Sequence, residues 1–252
     1  MTRPLEGKRA LVTGAGQGVG RGIALSLAAQ GATTALVGRT EGKLRAVQKE
    51  IADLGGSATV LVADVTRADD ITRAVQQTVD ELGGLDIVVN NAQIPAPGSM
   101  LSVTDDEFTA CWESGPLATF RMMRACRPHL GEGSVIINLG SGTSVNPMPT
   151  GRGVYAAAKA AIQTLSRVAA TEWGPDGIRV LTVLPAASSP AAQQWAAANP
   201  DEYARSVQSI PLRRLGDPVT DIGGVVAFLC SPAAGFITAT TIALDGGQAY
   251  LR

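Results

Sequence analysis

The chain predicts an α/β fold, a single doubly wound parallel sheet of about seven strands with helices on both faces. Three observations predict it. Short runs that are apolar on both faces alternate with amphipathic segments, the signature of a sheet covered on both sides. A glycine-rich turn, Thr13-Gly14-Ala15-Gly16-Gln17-Gly18-Val19-Gly20, follows the first apolar run and opens a helix. No composition break or polar linker divides the 252 residues, so residues 1–252 read as one domain.

The elements follow in order. Ala10-Leu11-Val12 is the first strand, and Ile23 and Leu27 mark the helix behind the glycine turn. Thr34–Val37 is the second strand. Leu44, Val47, Ile51 and Leu54 give the next helix its 3-4-3 spacing. Val60–Val62 is a strand, followed by a helix carrying Ile71, Val75, Val79 and Leu82. Ile87–Val89 is the fourth strand. Thr104 and Glu107 form a capping box that opens a long fourth helix. Val135–Ile137 is the fifth strand, and the helix of Tyr155 and Lys159 comes next. Ile178–Val183 is the sixth strand. Asp217-Pro218 supplies a cap and a proline at the first position of a helix ending near Cys230, and Thr241–Leu244 is the last strand. Residues 186–210, with Pro190, Trp195, Pro200 and Tyr203, interrupt the rhythm and read as a helical substrate lid.

Composition excludes several function classes. Apolar residues make up 45% and charged residues 17%, enough for a sizeable core. A formal net charge of -1, with no Lys/Arg run, argues against nucleic acid and against an anionic membrane surface. The three cysteines are scattered and form no CxxC pair, which fits a reducing compartment. Met1–Lys8 holds no apolar signal core, and no apolar run is long enough to span a bilayer, so a cytoplasmic location is expected. With one histidine, His129, and no thiol cluster, no metal site is expected.

The chemistry concentrates in two places. Tyr155 and Lys159 lie four residues apart in an alanine-rich run, so a helix stacks a phenol and an ammonium on one face. A cation beside a phenol favours phenolate, so Lys159 is expected to pull the Tyr155 pKa below its usual value and make it a proton donor and acceptor near neutrality. The glycine turn offers backbone N–H groups to a phosphate, with Gly14 for the tight turn and Gly18 and Gly20 for close approach and packing. At the end of the second strand stand Gly38-Arg39-Thr40 where a carboxylate would accept from a ribose hydroxyl. Arg39 suits a 2′-phosphate, which favours NADP, with NAD as the alternative. Gln17 weakens that preference, since a basic residue there would supply a second phosphate partner.

Together these residues resemble the short-chain dehydrogenase/reductase family, over nearly the whole chain. The resemblance rests on the TGxxxGxG turn and YxxxK, on Asp64, on Asn90-Asn91-Ala92, on Ser141 and Pro185, and on Asp245-Gly246-Gly247. It implies a Rossmann-type, NADP-dependent oxidoreductase that interconverts a carbonyl and an alcohol. Tyr155 would be the acid or base, Lys159 would tune it and hold the nicotinamide ribose, and Ser141 would hold the substrate oxygen. Gly14, Gln17, Gly18, Val19, Gly20, Arg39 and Thr40 would meet the phosphates and adenosine. Asp64 and Val65 would meet the adenine, Asn91 and Ala92 the middle of the cofactor, and Pro185 to Ser188 the nicotinamide. The partners implied are a small-molecule substrate and further copies of the chain, in a dimer or tetramer.

The pattern breaks at three positions. Gly115 stands where the family has an asparagine in the fourth helix, with Ser114 beside it and Pro116 after it. The proline deprives the Trp112 carbonyl of its helical partner, so a local distortion is expected to leave a carbonyl or a water in the missing amide's place. Gln93 replaces a glycine and would reach substrate or narrow the pocket, and Ala186 replaces the glycine after Pro185. Trp195 and Tyr203 suit either an apolar substrate or packing within the lid. Two other classes stay open on the residues alone, a non-redox isomerase or cyclase and a nucleotide-binding scaffold.

Overall fold

A computed structural model describes residues 3–146 and 151–249. Met1, Thr2 and the last three residues of the predicted 1–252 span lie outside the described residues. The strands are β1 (Arg9–Thr13), β2 (Thr33–Gly38), β3 (Ala58–Val62), β4 (Ile87–Asn90), β5 (Val135–Leu139), β6 (Arg179–Pro185) and β7 (Thr241–Leu244). They form one seven-stranded sheet in the order β3-β2-β1-β4-β5-β6-β7, parallel throughout. The helices are α1 (Gly18–Ala29), α2 (Glu41–Asp53), α3 (Ala68–Leu82), α4 (Asp105–Trp112), α5 (Ala118–Cys126), α6 (Gly153–Trp173), α7 (Pro190–Ala198), α8 (Pro200–Ser209) and α9 (Gly224–Cys230).

Two apolar layers sandwich the sheet. Ile23 and Leu27 of α1, Leu44 and Ile51 of α2, and Val226 of α9 pack on the face carrying Val12 and Ile137. Ile71 and Val75 of α3, Met122 of α5 and Ala169 of α6 pack on the face carrying Leu11 and Ile136. Adjacent strand residues therefore serve opposite layers, as the two-residue period of a strand requires. A buried polar ladder ties the middle of the sheet to α6. Asn90 Nδ2 donates to Asn138 Oδ1 at 2.8 Å, Asn138 Nδ2 donates to Ser166 Oγ at 2.8 Å, and Ser166 Oγ donates to the Ile162 carbonyl at 2.7 Å.

The capping box forms as its spacing predicts. The Glu107 N–H donates to Thr104 Oγ1 at 3.2 Å, and the Thr104 N–H donates to Glu107 Oε2 at 2.9 Å. The long fourth helix it opens is broken, however. α4 gives way to a π-helical turn over Glu113–Leu117, containing Pro116, before α5 resumes. There the Ala118 N–H reaches the Glu113 carbonyl, five residues back. Bonding at that longer spacing lets the chain pass a residue without an N–H. The helix after Asp217 also starts as a π turn, Pro218–Gly223, with Asp217 Oδ1 accepting from the N–H groups of Val219 and Thr220.

The sheet order reverses between β1 and β4. Their crossovers run to opposite sides, which opens a crevice at the carboxyl ends of these two strands. No helix among the described residues is long and apolar enough to cross a membrane, and they contain no His/Cys/Asp/Glu group able to hold a metal ion.

Candidate active site

The floor of the crevice is built from one threonine. Thr13, at the end of β1, donates from Oγ1 to the Val89 carbonyl at 3.3 Å and accepts from the N–H groups of Asn91 and Ala92 at 3.0 and 3.1 Å. Asn91 answers by donating from Nδ2 to the Thr13 carbonyl at 2.9 Å. These bonds clamp the first two turns of the crevice together. They engage the Asn91 amide nitrogen in the scaffold, while Asn91 itself lines the cavity above. Gly14 has φ +64, and a Cβ there would lie 2.7 Å from Asn91 Nδ2 and 3.1 Å from Ala92 Cα. Gly18 has φ +55 and begins α1, so the turn aims its N–H groups at the space in front of the helix.

That space is a cavity of about 490 Å³, reaching from the glycine turn past Arg39 to Tyr155 and Lys159. Its wall carries Gly14, Gln17, Gly18, Val19, Arg39, Thr40, Asp64, Val65, Ala92 and Gln93 of the predicted set. Gly20 is absent from the wall. A Cβ there would lie 2.5 Å from Asn91 Nδ2, so Gly20 serves helix–strand packing. Ser141, Pro185, Ser188 and Trp195 also lie off the wall, where Ser189 and Pro190 stand instead.

At the adenosine end the wall is cationic. Arg39 is exposed and has no carboxylate partner among the described residues. Lys43, on the first turn of α2, reaches back and donates from Nζ to Gln17 Oε1 at 2.6 Å. Lys43 is the basic residue that Gln17 seemed to deny to the site. Its signal in the sequence was its place four residues after Arg39 at a helix start. Asp64 on the same wall shapes the turn after β3, its Oδ1 accepting from the N–H and Oγ1 of Thr66 at 3.0 and 2.8 Å.

At the other end, α6 carries Tyr155 and Lys159 on one face. Lys159 Nζ lies 5.5 Å from the centre of the Tyr155 ring and donates to the Leu139 carbonyl at 2.6 Å. Ser141 begins the 3-10 turn Gly142–Ser144 and bonds Thr143 Oγ1 at 3.0 Å. Gln163 of α6 donates to Ser144 Oγ, and Ser144 Oγ donates to the Ser141 carbonyl, both at 2.6 Å. The same helix therefore fixes Tyr155, Lys159 and the backbone of Ser141.

The electrostatics correct the sequence expectation. Burial pushes the Tyr155 phenol up to about 12, against smaller downward pulls from Arg152 and Ser141. Burial pushes the Lys159 amine down to about 7. Desolvation penalises phenolate and ammonium alike, and it is the largest cause of both shifts.

The positions that depart from the pattern fit one another. Gln93 leans into the notch at Gly115: a Cβ on Gly115 would lie 2.5 Å from Gln93 Nε2 and 2.8 Å from its Cδ. Ser114 holds the next residue, accepting from the Ile94 N–H at 3.0 Å while donating to the Ala110 carbonyl at 2.6 Å. The expected distortion is present, and a side-chain amide fills the gap. Ala186 is accommodated without strain, its N–H bonded to the Leu244 carbonyl and its carbonyl accepting from the Gly216 N–H. Beyond it Ser189 caps α7, and Trp195 of α7 meets Tyr203 of α8 edge-on, with ring centres 6.2 Å apart.

Comparison with known proteins agrees with this geometry. The sequence model of the family described as enoyl-(acyl carrier protein) reductase matches residues 14–249. A 12alpha-hydroxysteroid dehydrogenase from a Clostridium species is 41% identical over 96% of this chain and 97% of its own. A short chain dehydrogenase from Burkholderia cenocepacia J2315, solved with NADP, superposes with a TM-score of 0.91 at 33% identity, covering 97% of this chain and 99% of its own. A 3-ketoacyl-(acyl-carrier-protein) reductase from Brucella melitensis, solved with NADH, gives 0.88 at 32% identity over 98% of this chain and all of its own.

Proposed function

Because the chain belongs to the short-chain dehydrogenase/reductase family, an NAD(P)-dependent enzyme class acting on CH–OH and C=O groups, we propose that it uses NADP in preference to NAD. In this reading it interconverts a ketone and a secondary alcohol with Tyr155 as the acid and base. The residues present fit the cofactor. The left-handed glycines leave the backbone bare at the turn, and the cavity runs unbroken from there to Tyr155. The observation that carries the NADP preference is the pair Arg39 and Lys43 on one cavity wall, with no carboxylate from the described residues on either side chain. A 2′-phosphate would take charge-assisted bonds from both.

Nicotinamide chemistry supplies or accepts the hydride. The chain's own residues manage the oxygen. In reduction Tyr155 gives its proton to the carbonyl oxygen as charge grows there, and in oxidation it takes that proton back. Ser141 donates a second hydrogen bond to the same oxygen. Lys159 stabilises the phenolate left behind. A phenol at about 12 becomes a competent acid once the amine takes up a proton, because the ammonium then opposes the desolvation that raised it.

Residues 186–210 would close over the substrate, with α7 and α8 as a paired helical cover on the domain formed by the sheet and its helices. Trp195 on the proposed cover is exposed, as is Met100, which lies beside Gly153 at the start of the Tyr155 helix, and these apolar surfaces favour a neutral apolar substrate. The 41% identity to a hydroxysteroid dehydrogenase puts hydroxysteroids and their ketones first in a panel. A homo-oligomer and a cytoplasmic location complete the proposal.

The test is NADPH oxidation with that panel in wild type and Tyr155→Phe. We expect carbonyl-dependent turnover that falls at least ~100-fold in the variant while NADPH binding persists. Undiminished turnover in Tyr155→Phe would remove Tyr155 from the chemistry.

A further inference from the structure

α6 carries its polar chemistry on one stripe. Tyr155, Lys159 and Gln163 follow one another at four-residue intervals, so their side chains lie one above the next on a single face. The acid–base chemistry uses the first two and leaves Gln163, an amide only 7% exposed, without a task. A buried amide is costly unless its hydrogen bonds are made. Gln163 Nε2 donates to Ser144 Oγ at 2.6 Å, and Ser144 Oγ donates to the Ser141 carbonyl at 2.6 Å. The Ser144 N–H donates to the same carbonyl at 3.1 Å. Both lone pairs of the Ser141 carbonyl are therefore engaged. Gln163 also sets the direction of the chain of bonds. A hydroxyl oxygen that accepts from an amide N–H has its own hydrogen left to give to the carbonyl.

The rest of the turn is held as firmly. A Cβ on Gly142 would lie 3.1 Å from Ala249 Cβ, and Asp245 Oδ2 accepts from the Ala249 N–H at 2.7 Å, so a pinned C-terminal segment packs against the turn. Ser141 Oγ accepts from the Thr143 N–H at 3.3 Å and shares a bond with Thr143 Oγ1 at 3.0 Å. With Thr143 as donor in both, Ser141 Oγ has its lone pairs engaged and only its hydrogen left to offer. We propose that Gln163 is a positioning residue for Ser141: acting through Ser144, it sets the backbone of the Gly142–Ser144 turn so that the Ser141 hydroxyl meets the reacting oxygen as a donor. Gln163 lies off the cavity wall, so it acts only through the turn. The proposal rests on the reading of Ser141 as the second donor to the substrate oxygen. It adds a reason for a polar residue buried four positions beyond Lys159 and for a serine three positions beyond Ser141.

The experiment is steady-state reduction of a ketosteroid by NADPH with the full chain, in wild type, Gln163→Met, Ser144→Ala, Ser141→Ala and Gln163→Met/Ser141→Ala. Gln163→Met keeps the length and removes the donor. Ser144→Ala cuts the same link without touching α6, and decides the matter if Gln163→Met does not fold. NADPH affinity, followed by fluorescence titration, is expected to stay at the wild-type value in each. We expect Gln163→Met and Ser144→Ala each to lower kcat by ~10-fold, a part of the roughly 100–1000-fold that loss of a donor to developing charge costs. In the Ser141→Ala background, Gln163→Met should change kcat by less than ~2-fold, because no hydroxyl remains to be positioned. An amide with a merely structural role would slow both backgrounds alike, and that result overturns the proposal. So does a wild-type kcat in Gln163→Met and Ser144→Ala beside a slow Ser141→Ala, which leaves the reading of Ser141 intact. A Ser141→Ala variant as fast as wild type removes that reading and the proposal with it. A crystal structure of Gln163→Met supplies the arm that needs no substrate. There the Ser141 side chain is expected in a second rotamer, and a turn that superimposes on wild type overturns the proposal.

Discussion

Lys159 is a charge-bearing residue held where charge is costly, and that has a measurable consequence at the residue scale. Its folded pKa of about 7 lies below its usual value of 10.5. Between the two values the unfolded chain binds a proton that the folded chain does not, so stability rises with pH across that window. Tyr155 works in the opposite sense above it. With a folded value of about 12 against 10.0, the folded chain keeps its proton longer and stability falls between those values. Lys159→Met should therefore flatten the rise between pH 7 and 10 in thermal or urea unfolding. At pH 7 it should stabilise the cofactor-free protein by an amount of the order of a few kcal/mol. At the other end of the cavity, Arg39→Asp should lower NADPH affinity relative to NADH by about 10–100-fold, the equivalent of one or two charge-assisted hydrogen bonds, read by equilibrium titration. An unchanged ratio would discredit the phosphate assignment. Arg39 was legible because it directly follows a strand, at a position with a known geometric role. Lys43 was not, because only the fold brings it to Gln17, 26 residues away.

At the element scale, α1 shows how packing reverses a local preference. In a helix interior, alanine is favoured over glycine by about 1 kcal/mol. Gly22 nevertheless sits where α1 crosses the π turn Pro218–Gly223, and a Cβ there would overlap the Pro218 carbonyl. Ser26, one turn on, donates to the Val219 carbonyl at 2.8 Å and holds the two elements at that distance. Gly22→Ala should destabilise by roughly 2–3 kcal/mol, seen as a lower urea midpoint. Gly42→Ala in the first turn of α2, where a Cβ meets nothing within 4 Å, should be neutral or stabilising by up to about 1 kcal/mol. The capping box at Thr104 and the Asp217-Pro218 start were legible because both are local devices. The sequence also placed a disturbance at Pro116. It did not show that the break would take a π form, or that Gln93 would fill it.

For the whole molecule, the sheet order decides where everything converges. The reversal between β1 and β4 places the glycine turn, Thr13, Asn91 and Gln93 around one crevice, and α6 brings Tyr155 and Lys159 to its far end. A ligand that bridges these segments should stabilise them together. NADP at 100 times its dissociation constant should raise stability by about 2.7 kcal/mol, equivalent to a melting shift of about 5–10 °C for a chain of this size. A thermal melt with and without NADP checks it. No shift at saturating NADP would mean that the cavity is not a nucleotide site.

What the sequence determined by itself was chemistry between near neighbours. The alternation of strand and helix, the left-handed glycines at Gly14 and Gly18, the Tyr155 and Lys159 face, and the cap at Thr104 each depend on residues within a turn or two of one another. What only the tertiary structure decided was whatever depends on burial or on distant segments meeting. The direction of the Tyr155 pKa turned on desolvation, which spacing does not reveal. The seating of Gln93 against Gly115 and the delivery of Lys43 to Gln17 turned on how helices settle beside strands. The physical reason is the range of the forces involved. Backbone dihedrals and hydrogen bonds of helices and turns act along the chain, while dielectric environment and steric fit are set by whatever the fold brings alongside.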